Sequence, residues 1–200
     1  MDKWMDEAIR ARRVAALQEA GHVVVAHRLG LCPRKVGIQG NRSLQQLGVT
    51  WHEDSRDEET IILVYAGVAA EWLFHPETAH PGRARDDYED AGELLPFVEG
   101  DQATLKARAA ELVARHRAEI ETVAQALFEY SVLDGDEASM VVAAVEEGKD
   151  WRPALEQWRA LKAASAPEAN ANSAGDAVPR LNVVAKSRPT GSKPELGGRG

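Results

Sequence analysis

The sequence predicts a mainly helical domain with a small β hairpin or sheet, an α+β arrangement. Apolar residues recur with helical spacing over residues 14–29 (VAALQEAGHVVVAHRL), and residues 60–74 are apolar almost all round. Leu105, Leu112, Ile120, Val123 and Leu127 form one stripe along residues 101–130. Against these long periodic stretches stand only two short alternating ones, residues 34–39 and 47–52, separated by a Gly, Asn and Ser cluster.

In chain order, the first helix begins within residues 2–7 and runs to about Leu29, where Gly30 serves as C-cap and Pro33 prevents continuation. Val23, Val24 and Val25 are poor helix formers, so their place in it must come from burial, expected against a sheet. Gly21 costs about 1 kcal/mol relative to Ala in a helix interior, which points to close approach by a backbone or a ligand, or to tight packing alone. The two alternating stretches read as two strands, of a hairpin or a small sheet. A charged segment, residues 54–59, leads into the second helix, residues 60–74, whose apolar surround makes it central and leaves the carboxylate of Glu71 in need of a partner. Residues 75–85, with two His-Pro pairs and Gly82, form an irregular loop. Asp86 and Asp87 then open a third helix in N-cap and first-turn positions. A long amphipathic helix spans residues 101–130, a turn at Asp134 and Gly135 precedes another helix, and Trp151, Leu155 and Trp158 continue helical spacing to about Ala164.

The 200 residues, 44% of them apolar, suit one domain with an appendage: residues 1–150 as the domain, 151–164 as a docking helix, and 165–200 as a tail expected to be disordered. The net charge of −8 argues against nucleic acid as a partner. Cys32 is the single cysteine and excludes an internal disulfide, and the first residues, MDKWMDEAIRARR, carry no apolar signal-peptide core, so a cytoplasmic, reducing compartment is expected. The longest apolar run, residues 61–70, is about half of the roughly 20 residues that span a bilayer, so no membrane insertion is expected. A phosphate-binding G-x-x-x-x-G-K-[ST] loop is absent, and ATP binding by the chain itself is not expected.

The chemistry concentrates in Gln18, Glu19 and His22. Residues four apart share a helix face, so Gln18 and His22 project together with Glu19 one step around. This is the geometry of a His-Glu-x-x-His zinc helix, in which two imidazoles hold the metal and the glutamate is general base to its water. Here a carboxamide stands at the first imidazole position. A Glu-x-x-His pair alone is weak evidence, but it sits within an apolar helix, followed by Gly67-Val68-Ala69-Ala70-Glu71 on a second apolar helix and Asp86-Asp87-Tyr88 at the start of a third.

With these strings, and with a Leu-Asp-Gly-x-Glu turn at residues 133–137, the chain resembles the M41 peptidase family, the zincin-like protease domain of FtsH-type AAA proteases, over about residues 10–147. The resemblance implies a zinc metallopeptidase fold acting on peptide or protein substrates, with Glu19 as catalytic base and His22 and Asp87 as metal ligands. Asp86 is the near alternative to Asp87, Gln18 occupies the degenerate first-ligand position, and Glu71 has a supporting role. No counterpart of the family's membrane anchor or ATPase module is expected, so ATP-driven feeding would need a separate ATPase or chaperone partner. A carboxamide oxygen is a weaker zinc donor than imidazole, so zinc is expected to be bound weakly or not at all unless His75 or His80 completes the shell. His27, His52 and His116 read as surface or satisfied histidines. Two functions follow: a working zinc peptidase, or a peptidase-like scaffold that has lost catalysis and binds peptides or proteins.

Overall fold

The computed structural model describes residues 2–31, 33–38, 57–77, 79 and 85–165. Among them the fold is mainly helical with one small two-stranded antiparallel sheet. Helix α1 (Asp2–Arg28) packs against both α2 (Asp57–Phe74) and α5 (Arg117–Tyr130). Val23, Val24 and Val25 are fully buried there, so helices rather than a sheet supply most of the surface that compensates their low helix propensity. Gly30 takes the left-handed conformation (φ 74°) that ends the helix.

The closest approach of α1 and α2 is built from small residues. A Cβ on Gly21 would lie 2.7 Å from the Ala70 Cβ and 2.8 Å from the Ala66 carbonyl oxygen, so the glycine is required by a neighbouring backbone. Helix α2 is covered on its other sides by α3 (Arg85–Leu94) and α4 (Gln102–Arg115). Asp101 caps α4 by accepting from the Thr104 amide.

The expected single helix over residues 101–130 is two helices. His116, at φ −105° and ψ 30°, interrupts the path between α4 and α5 without any Gly or Pro. Helix α4 packs on α2 whereas α5 packs on α1, and one straight helix could not turn its apolar stripe toward both. His116 Nδ1 lies 3.1 Å from Glu119 Oε1, and Glu119 also accepts from Arg28 at the end of α1, which ties the junction to that helix.

The small sheet among the described residues joins distant segments. Strand β1 (Lys35–Gly37) pairs antiparallel with β2 (Val132–Asp134), Val36 opposite Leu133. The local pairing partner expected at residues 47–52 lies outside the described residues, as do His52 and the tail from residue 166. The Asp134-Gly135 turn thus begins as a strand. Gly135 donates its amide to the Arg34 carbonyl, and a Cβ there would meet the Pro33 carbonyl oxygen, so only glycine admits this approach. Helix α6 (Gly135–Glu146) starts with a capping box between Asp134 and Glu137. Helix α7 (Trp151–Ser165) buries Trp151 and Leu155 and packs on α6, where Arg159 donates to both Glu137 carboxylate oxygens. No described helix is long and apolar enough to cross a membrane.

Candidate functional site

Helix α1 carries Gln18, Glu19 and His22 on consecutive turns, and the α1/α2 contact at Gly21 sets their height against α2. His22 is 9% exposed. Its Nδ1 lies 2.8 Å from the Leu63 carbonyl oxygen, which can only accept, so Nδ1 carries a proton, and in the neutral imidazole Nε2 is the nitrogen with the free lone pair. One turn along α2, Gly67 makes room for the ring: a Cβ there would fall 2.2 Å from His22 Nε2. The glycine quoted in the Gly-x-x-Ala-Glu string therefore has a specific task, and four residues on stands Glu71, 2% exposed. Neither Leu63 nor the fit of Gly67 to the imidazole was assigned from sequence. A glycine in so apolar a helix was the available signal for the second; a backbone carbonyl leaves none.

Asp87 lies in the first turn of α3, and its neighbour Asp86 belongs to the same turn. The Gln18 amide Nε2 donates to Asp87 Oδ2 at 2.8 Å. A carboxylate only accepts, so the N–H side of the carboxamide must face it. Two positions that the resemblance assigns to metal ligation are thus bonded to each other. Glu19 retains some exposed surface, yet its surroundings push its carboxyl up to about 8, first through burial and then through the negative charge of Asp87. With the charges of this chain alone, Glu19 is an acid at neutral pH rather than a base.

The other histidines have these surroundings. His75 Nδ1 is 3.2 Å from Glu77, and His80 lies outside the described residues. His27 is half-buried, with burial lowering its basicity, and His116 is held by Glu119 as the α5 cap.

The donor set decides the fit to zinc. A catalytic zinc takes three protein ligands and an open position. Here one imidazole and one carboxylate stand at ligand positions, and the third holds a carboxamide whose N–H points at that carboxylate. Among the described residues no group of three or more His, Cys, Asp or Glu side chains is placed to hold a metal ion. The residues present do not fit a complete catalytic zinc shell. No family model and no curated protein matches this chain.

Proposed function

We propose that the chain is a zincin-like domain of the M41 peptidase type whose metal centre has been replaced by a polar bridge, and that it acts as a peptide- or protein-binding module rather than a peptidase. The observation that carries this reading is the Gln18–Asp87 hydrogen bond, by which a neutral amide satisfies the carboxylate that a cation would otherwise hold. The order of the motifs and the seating of His22 between Leu63 and Gly67 support the scaffold. Loss of one imidazole supports the loss of catalysis. In a cytoplasmic setting such a module would present polypeptide to, or receive it from, a separate ATPase or chaperone.

The second reading, a working zinc peptidase, is favoured by the His22 tautomer, since a ligating histidine commonly donates its other ring N–H to a carbonyl and leaves Nε2 for the metal.

Restoring the missing imidazole separates the two. Gln18→His should tighten zinc binding by an order of magnitude or more and raise the thermal midpoint in the presence of zinc. Casein cleavage should appear with it and vanish in the Gln18→His, Glu19→Gln double variant. The parent should bind no stoichiometric zinc by calorimetry and cleave no casein. Parent protein that binds zinc and cleaves casein as well as the Gln18→His variant would overturn the reading and establish the peptidase.

A further inference from the structure

A groove of about 470 Å³ opens on the side of α2 turned away from His22, between α2, α3 and α4. One end is polar: the Lys106 ammonium lies over the Tyr65 ring at 5.2 Å and the Tyr88 ring at 4.5 Å. The other end is apolar, formed by Leu73, Val113 and Trp72, the last 46% exposed at the rim. Tyr65 of α2 meets Lys106 of α4, and Phe74 at the end of α2 meets Arg117 at the start of α5, just past the end of α4, so α2 and α4 run side by side in the same sense. From Tyr65 to Leu73 the helical rise is about 12 Å, the length of a medium alkyl chain.

Charge decides the head group. Glu58 and Glu111 on the flanking helices are engaged by Arg108 and Arg115, and among the described residues no carboxylate pairs with Lys106. A cation at the end of an apolar groove suits a carboxylate. The walls decide the body: three helices have satisfied their own backbone groups, so a peptide laid here would bury amides and carbonyls with few partners, a cost that an alkyl chain does not incur.

We propose that this groove binds a medium-chain fatty carboxylate, with the carboxylate at Lys106 and the alkyl chain running between α2 and α4 toward Leu73 and Val113. None of Gln18, His22 and Asp87 lines the groove, and the proposal does not rest on the function proposed above.

Calorimetric titration of the full chain with sodium decanoate tests it. One decanoate should bind per chain, while butyrate, which shares the head alone, should not bind, and decyltrimethylammonium should bind at least about tenfold more weakly. Lys106→Gln, at a half-buried position, should weaken decanoate at least about tenfold while far-UV circular dichroism shows the fold retained. Ala110→Trp should fill the groove and block binding, and Lys106→Gln decides alone if that variant does not fold. Failure to saturate would overturn the assignment. So would equal affinity for the cationic amphiphile, unchanged affinity in Lys106→Gln, or tighter binding of a short apolar peptide with a free C-terminus. Sedimentation showing a dimer that Ala110→Trp renders monomeric would assign the groove to a second copy instead.

Discussion

A carboxyl group that titrates near 8 keeps its proton at neutral pH, and burial beside Asp87 places Glu19 in that state. Between its ordinary value of 4.5 and about 8 the folded chain therefore holds a proton that the unfolded chain has released. Stability from this group is full below the lower value and is lost as pH rises through the upper one, a fall of order a few kcal/mol. Thermal melts at pH 5 and pH 8.5 should show that decline, and Glu19→Gln should flatten it; an equal decline in the variant would place the titrating group elsewhere. Gly67 offers a second test at this scale. Gly67→Ala drives a methyl group into the His22 ring, at a cost of about 1–3 kcal/mol for overpacking. Since the clash is with one side chain, His22→Ala should remove most of that cost, and a double-mutant cycle on chemical denaturation should read strong coupling. Additive effects would mean that the glycine answers to something other than the imidazole.

Helix α1 meets α2 through Gly21, Ala66 and Ala70, and this contact fixes how far His22 stands from Leu63. Gly21→Ala gains helix propensity of about 1 kcal/mol, yet its Cβ would overlap both Ala70 and the Ala66 carbonyl, so the helices must separate. Net destabilisation by about 1–3 kcal/mol is expected, with a shifted His22 ring resonance in NMR spectra as the sign that the site has moved with the helix. At the other end of the fold, Glu137 holds two elements at once: it completes the α6 capping box through the Asp134 amide and takes the Arg159 guanidinium from α7. Glu137 is nearly buried, so Glu137→Ala should cost about 2–4 kcal/mol in denaturant unfolding. A loss below 1 kcal/mol, the level of an exposed pair, would show that the cap and the ion pair are replaceable by water.

At the scale of the whole molecule, α1 joins two packing units, α2 with α4 on one side and α5 with α6 on the other, and α7 closes the second with Trp151 and Leu155. Truncation after Asp150 re-exposes both side chains, each worth about 1.5–3 kcal/mol when fully buried, and should lower the melting midpoint clearly while leaving far-UV helicity in α1–α5. An unchanged midpoint would make α7 an ornament rather than part of the core. Most of this architecture was legible locally: the periodicity of residues 14–29 and 60–74, the cap at Gly30, and the placing of Gln18, Glu19 and His22 on consecutive turns all follow from interactions within a few residues, which a linear reading contains. Three features depended on the packed chain. The break at His116 arises because α4 and α5 face different neighbours, and nothing in their apolar stripe announces it. The pairing of β1 with β2 joins segments about a hundred residues apart, held by the approach of Arg34 to Gly135, and local alternation cannot announce a partner so distant in sequence. The bond between Gln18 and Asp87 likewise exists only because α2, which packs on both α1 and α3, brings the start of α3 to Gln18. The sequence names the residues of the candidate centre by local spacing; whether its amide and carboxylate face a common cation or each other is settled by distances that only long-range packing creates.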